Sequence, residues 1–306
     1  MSDDRRTKLI IPVVGISLMT VVSAVAGLNM ALPSMARATG ATSTELTWIV
    51  DAYTVVFASL LFLAGAIGDK YGRKSILAVG LVIYAVMASF GLFATDPQQL
   101  ILIRILMGVG AAAIMPSTLS VITTSFQGAE RGKAISIWVG IAGGGAFVGL
   151  FGTAILLEYF SWSSFFGLNV VLATIGFIGT MAVLRDSRDE SAPVLDWFGG
   201  ILTMLGVGGV VYGFIEAPDN GWSSPGTIWG ISGGVLALML FVLWEMRTPH
   251  PLLDPRLFRN RGFAAGSLSV TVQFFGQFGF IFVAMQYMQF IAGFSPLETA
   301  ARLLPI

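Results

Sequence analysis

Gly65-Ala66-Ile67-Gly68-Asp69-Lys70-Tyr71-Gly72-Arg73-Lys74 sets three glycines, one carboxylate and three cations between two long apolar runs, 46–67 and 75–94. Apolar runs of about 20 residues cross a bilayer as helices, so the decapeptide reads as the tight turn between two spans. Gly72 suits a left-handed turn at the end of the first span, a conformation that other residues enter at a cost. Asp69 falls at the same helix end, where the macrodipole disfavours negative charge, so its carboxylate wants a partner. At the other end of that helix, Thr42 and Glu45 stand at capping-box spacing.

Outward from this turn the whole chain has the same character. Its 306 residues are 55% hydrophobic and only 11% charged, too apolar for one soluble core of ordinary composition. Further runs at 9–33, 100–124, 133–157, 163–184, 197–216, 227–246 and 263–292 bring the expected spans to nine. A tenth helix begins near Leu297 and reaches Ile306 after about two turns, too few to cross a membrane, so the sequence reads as truncated or as a fragment. Arg5, Arg6 and Lys8 precede the first run, and Ala24-Val25-Ala26 has the look of a signal-peptidase site. That run exceeds a signal core, however, and is read as a retained helix. Lys and Arg near span ends tend to remain cytoplasmic. An inside amino terminus places Arg5, Arg6, Lys8, Lys70, Arg73, Lys74, Arg131, Lys133, Arg185, Arg188, Arg247, Arg256, Arg259 and Arg261 on that side and only Arg37 outside.

Composition excludes several function classes. Net charge is zero and no basic tail or aromatic-basic patch invites nucleic acid. There is no cysteine for a disulfide or thiolate metal site, and His250, the one histidine, reads as a loop residue. Gly108-Val109-Gly110-Ala111-Ala112-Ala113 has a nucleotide-loop look but follows no strand. With no Walker loop, serine-histidine arrangement or metal-ligand spacing, the expectation is no enzyme, no metal and no cofactor.

The 65–74 pattern, G-x-x-x-D-[KR]-x-G-[RK]-[RK], resembles the signature between helices 2 and 3 of major facilitator superfamily transporters, with every fixed position matched. In that family the residue matching Asp69 contacts an arginine network and a helix amino terminus of the other half. The resemblance thus implies a conformational gate at Gly65, Asp69, Lys70, Gly72, Arg73 and Lys74, against a bland reading as a basic loop with a glycine turn. Trp48-Ile49-Val50-Asp51-Ala52-Tyr53 resembles helix 2 of the fourteen-helix drug:proton antiporters. Asp51 is the carboxylate deepest in an apparent span, about 12 Å from the capping box along the helix. Ionisable groups within spans are candidates for proton or cation handling. Attraction to the positive start of its helix, or pairing with Arg104, is the structural alternative.

Arg104-Ile105-Leu106-Met107-Gly108-Val109-Gly110-Ala111-Ala112 resembles the helix 4 signature of the family, with Met107 in place of the usual Gln. A guanidinium there either faces a carboxylate or polar cavity, and so tunes Asp51, or snorkels to the outer interface. Met115-Pro116-Ser117-Thr118-Leu119-Ser120 is also similar to the family and puts a bend-prone proline in helix 4. In helix 5, Gly140, Gly143, Gly144, Gly145, Gly149 and Gly152 have spacings that permit close helix contact, with Gly145, Gly149 and Gly152 as the packing candidates. The antiporter signature there reads approximately G-P-x-x-G-G, whereas Gly149-Leu150-Phe151-Gly152-Thr153-Ala154 lacks the proline and both later glycines. Leu156-Leu157-Glu158-Tyr159-Phe160-Ser161-Trp162 keeps the resemblance. Leu28-Asn29-Met30-Ala31-Leu32-Pro33 resembles the end of helix 1, but the acid usual five positions before Asn29 is Ala24, so cation export would lean on Asp51.

A substrate cavity is expected at Asn29, Tyr53, Gln273, Phe274 and Gln277. Gln273 and Gln277 share a helical face, and the phenyl groups of helix 9 offer area and cation-π contact. Lipid-facing phenylalanines with interhelical amide bonds are the equal alternative. Taken together, the expected fold is an all-α membrane protein of major facilitator type. It comprises an amino-terminal six-helix bundle (1–190), two extra central helices (191–250), then a connector and the opening of a carboxy-terminal bundle (251–306). The implied activity is proton-coupled efflux of amphipathic drugs or metabolites across the bacterial cytoplasmic membrane. The proton gradient supplies the energy, lipid and small cationic or amphipathic substrates are the partners, and the oligomeric state is unread. The other readings are a facilitator without antiport and a non-transporting membrane fragment or interaction partner.

Overall fold

The computed structural model describes residues 3–189 and 195–303. Among these lie ten α-helices: α1 (Asp3–Thr39), α2 (Ser43–Tyr71), α3 (Arg73–Gly91), α4 (Pro97–Ser125), α5 (Gly128–Tyr159), α6 (Ser164–Val183), α7 (Trp197–Asn220), α8 (Pro225–Glu245), α9 (Arg261–Gln286) and α10 (Pro296–Arg302). A 3₁₀ turn, Pro255–Arg259, precedes α9 and a π turn, Tyr287–Ile291, follows it. No strand occurs among the described residues. Among the described residues nine helices are long and apolar enough to cross a membrane, one for each apolar run of the sequence. The expected domain boundary at 190/191 and the chain end at Ile306 lie outside the described residues.

Local chemistry starts these helices where they start. The Thr42 and Glu45 pair forms a full capping box on α2: Thr42 N–H donates to Glu45 at 2.9 Å and Glu45 N–H to Thr42 Oγ1 at 3.2 Å. Asp96 accepts the N–H groups of Gln98 and Gln99 at 2.8 and 3.3 Å ahead of α4, with Pro97 in the first turn where no N–H is needed. Ser295 and Glu298 form a second capping box on α10. At 37 residues α1 is about 55 Å long, far more than a hydrocarbon core of about 30 Å, so its ends run past the apolar stretch 9–33.

Helices α1 to α6 share one buried core, to which Leu28, Tyr53, Leu81, Tyr84, Met107 and Phe165 contribute. The largest helix contacts pair α1 with α5, α2 with α4, α3 with α4, and α7 with α8. The α7–α8 hairpin is close because glycines face each other: a methyl built on Gly209 would lie 3.0 Å from the Gly230 carbonyl oxygen and 3.1 Å from Gly234 Cα. Its link to the bundle runs through α2. Helix α9 keeps Met285 buried and most other side chains exposed, while α10 packs on α5 through a small cluster of Met30, Ala154, Met285, Ala300 and Leu303.

Candidate functional site

The 65–74 segment turns on Gly72, whose φ of +118° ends α2 and opens α3. A methyl at Gly72 would strike the Asp186 carboxylate at 2.5 Å, so both backbone and space require glycine. The partner that Asp69 wants is local: its Oδ1 accepts from Arg73 Nε at 2.8 Å and from Ser120 Oγ on α4 at 3.4 Å. The last turn of α6 and the segment after it then bind the turn. Arg73 N–H donates to Ser187 O at 3.0 Å, Asp189 N–H to Asp69 O at 2.8 Å, and Lys74 Nζ to Met181 O at 3.2 Å. Lys70 lies 5.9 Å from the centre of the Tyr71 ring, and Gly65 lets α2 approach Pro116 of α4. A cavity of about 560 Å³ opens beside Gly65, Asp69 and Ser120, with Trp138, Asp196 and His250 on its other walls.

Arg104 is 1% exposed, which removes snorkelling as its explanation. Its Nε donates to Ile49 O at 2.9 Å and its Nη2 to Val50 O at 3.4 Å, both on α2, and its guanidinium lies 4.1 Å from the centre of the Tyr53 ring. Carbonyls and a π face thus take the place of a counter-ion. Nη1 is buried without a hydrogen-bond partner. The ring beneath it is held in turn: Tyr53 Oη donates to Val21 O of α1 at 3.1 Å and meets Tyr84 edge-on at 6.4 Å. Tyr84 Oη reaches Thr20 O and Asn169 Oδ1, each at 3.1 Å.

This network corrects the placing of Tyr53 in a substrate cavity. It has no exposed surface, because it fills the junction of α1, α2, α3 and α4 and supports Arg104. Tyr84 and Asn169 did not figure in the sequence reading. A tyrosine and an asparagine inside apolar runs were the available signal, since polar groups in a span need partners.

Asp51 faces away from that network. With Thr47, Val211, Phe214, Ile215 and Asp219 it lines a groove of about 490 Å³ between α2 and α7. One turn nearer the helix start, Trp48 Nε1 donates to Glu216 of α7 at 2.8 Å, and Thr44 bonds Asp219. Asp51 and Arg104 interact electrostatically, but no ion pair joins them among the described residues. Of the two structural alternatives for Asp51, direct pairing is not what the geometry has: Arg104 grips the two carbonyls that precede Asp51, on another face of the helix.

The remaining cavity candidates separate. Gln277 lines an apolar cavity of about 240 Å³ with Ala26, Phe147, Leu150, Met285 and Leu303. Phe274 is half exposed and stacks on Phe278 at 5.7 Å, and Gln273 is exposed, so neither joins Gln277 there. Asn29 donates to Val25 O at 3.1 Å, while its Oδ1 is buried without a partner. In α5, Gly149 presses on the Ser23 backbone of α1, Gly145 approaches Met19 Cα, and Gly152 meets Leu168 of α6. Gly140, Gly143 and Gly144 meet nothing, so close packing belongs to the later three glycines alone. Among the described residues no cluster of three or more His, Asp or Glu has metal-holding geometry.

Among the described residues, ten helices with nine candidate spans, a glycine-cornered basic turn and a buried arginine in α4 make up a polytopic helical bundle. The Major Facilitator Superfamily matches residues 14–306, and the chain belongs to it. It is 37% identical over 279 residues to the puromycin resistance protein pur8 of Streptomyces alboniger, covering 91% of this chain and 55% of that protein. The methylenomycin A resistance protein of Bacillus subtilis is 30% identical, with 91% and 60% covered. The methyl viologen resistance protein SmvA of Salmonella typhimurium is 31% identical, with 91% and 57% covered. The chain thus spans little more than half the length of these relatives. The crystal structure of the POT family transporter PepTSo superposes with a TM-score of 0.58 at 16% identity, covering 79% of this chain and 52% of that one. The protein is a multi-pass membrane protein of a transporter family, and its surroundings are the lipid bilayer.

Proposed function

We propose that the protein is the amino-terminal bundle (1–190), central hairpin (191–250), connector and second-bundle opening (251–306) of a proton-coupled exporter of small amphipathic or cationic compounds. It sits in the bacterial cytoplasmic membrane with its amino terminus inside. Asp51 takes a proton from the outer face through the groove beside α7, and Arg104 supplies a fixed positive field one helix face away. The observation that carries this reading is the separation of the two charges. Arg104 is locked onto the α2 backbone, which leaves the Asp51 carboxylate outside that network and on the wall of the groove. Gly65, Asp69, Lys70, Gly72, Arg73 and Lys74 form the hinge-like contact at the inner end, and Gln277 and Asn29 stand nearest to the substrate path. Names of the relatives support drug-like cargo: puromycin is amphipathic and methyl viologen a dication.

The test is uptake of puromycin and methyl viologen into inverted liposomes containing the native-length protein. Asp51→Asn abolishes uptake driven by an imposed pH gradient. Unchanged uptake with a normal pH response would overturn the assignment. A facilitator without antiport is the second reading, favoured by Leu150 in the position of the signature proline and by the unbroken α5 from Gly128 to Tyr159. Equal flux with and without a pH gradient would establish it.

A further inference from the structure

Where α7 begins and α8 ends, two carboxylates meet, and neither forms an ion pair among the described residues. Asp196 caps α7, its Oδ1 accepting Gly199 N–H at 2.8 Å and its Oδ2 accepting Trp244 Nε1–H at 2.7 Å. Glu245 ends α8, its Oε2 accepting Leu253 N–H of the connector at 3.3 Å. Its Oε1 is buried and has no donor. Asp196 is 8% and Glu245 2% exposed. Both carboxylates converge over Gly199, where an added methyl would lie 2.5 Å from Glu245 Oε1 and 2.7 Å from Asp196 Oδ2, so the two oxygens share one small space.

Three of the four oxygens are therefore occupied by N–H donors, and the fourth points at its neighbour. Two carboxylates so placed do not both ionise without a large like-charge cost, and one proton between them removes it. Among the described residues no cation forms an ion pair with either acid, and Arg256 spends its Nη2 on Met246 O at 3.0 Å. The other titratable groups on the cavity that Asp196 lines are Asp69, Asp189 and His250, and the one base among them, His250, forms no ion pair with either acid among the described residues.

We infer that Asp196 and Glu245 are a proton-binding pair that fastens the 250–253 connector to the base of the α7–α8 hairpin. In the closed form Glu245 Oε1–H donates to Asp196 Oδ2. Loss of that proton to water in the cavity leaves two negative charges, which separate and release the Leu253 N–H bond. The connector residues His250, Pro251 and Leu252 wall the 560 Å³ cavity at Asp69, so the pair sets how open that cavity is. This inference stands apart from the role of Asp51.

The chain has no cysteine, so Leu252→Cys gives one thiol at the cavity wall, and Ser223→Cys gives an exposed reference thiol at the α7–α8 loop. The ratio of their maleimide labelling rates cancels the ionisation of the thiol itself. In the otherwise unchanged chain the ratio rises about tenfold on going from acidic to alkaline pH, the effect of one pKa unit of coupling. Glu245→Gln keeps an N–H donor facing Asp196 and holds the ratio low at every pH. A ratio that does not respond to pH, or one that responds equally in Glu245→Gln, overturns the inference. Should Glu245→Gln fail to fold, infrared titration of the unsubstituted chain decides. A protonated-carboxyl stretch that persists at neutral pH and survives Asp51→Asn supports the pair, and its absence overturns it.

Discussion

On the side of α2 that meets α4 the space is filled: Gly108 admits the α2 backbone, Arg104 closes on the Ile49 and Val50 carbonyls, and Tyr53 seals the junction with α1. On the side that meets α7, Trp48 and Thr44 bridge the helices near their ends and the next turn opens into the 490 Å³ groove at Asp51. One helix therefore has a face that fixes its position and a face that leaves a charge free to change. Substitutions on the filled face are expected to act on stability, and those on the open face on coupling.

The largest stability effect is expected from Gly108→Leu. A methyl at Gly108 already falls 2.7 Å from Tyr53 O and 3.1 Å from Val56 Cβ, and a backbone oxygen cannot swing aside as a flexible side chain would. Overpacking of this kind costs about 3 kcal/mol, and the displaced α2 would also lose the acceptors of Arg104. Thermal unfolding in detergent measures it. A loss below about 1 kcal/mol would show the α2–α4 seam to be soft and would break the contrast between the two faces.

Tyr53→Phe comes next. The ring under Arg104 remains, and only the hydrogen bond to Val21 O is lost, for about 1 kcal/mol. A much larger loss would mean that the hydroxyl orients the ring for Arg104, which would sharpen the contrast by making the filled face a single cooperative unit.

What the sequence makes legible here follows from the reach of each signal. Hydropathy located all nine spans, since crossing a bilayer demands a long apolar run wherever it sits. It misplaced the ends of α1, because turns beyond the hydrocarbon need not be apolar. Capping spacing found Thr42 and Glu45, a contact between near neighbours in sequence. Residue type singled out Asp51 and Arg104 but not how they meet, because whether Arg104 takes a carboxylate or two carbonyls depends on the rotation of α2 against α4. Tyr53 was misread for the same reason: an aromatic near a charged residue lines a cavity or fills a junction according to its neighbours in space. Asp196 and Glu245 are 49 residues apart and look like unrelated span ends until the α7–α8 hairpin closes.

The smallest stability effects belong to the open face. Trp48→Phe removes one bond to Glu216, whose carboxylate retains Asn220 Nδ2 at 2.8 Å and stands at an exposed helix end, so the cost is within about 0.5 kcal/mol. Asp51→Asn should cost no more. The carboxylate makes no ion pair among the described residues, its groove has room for an amide, and the volumes are nearly equal. The pairing of an unmoved unfolding temperature with lost pH-driven uptake is what separates a functional carboxylate from a structural one. If Asp51→Asn instead unfolded the protein, Asp51 would belong to the machinery that fixes α2, and the open face would be a second filled one.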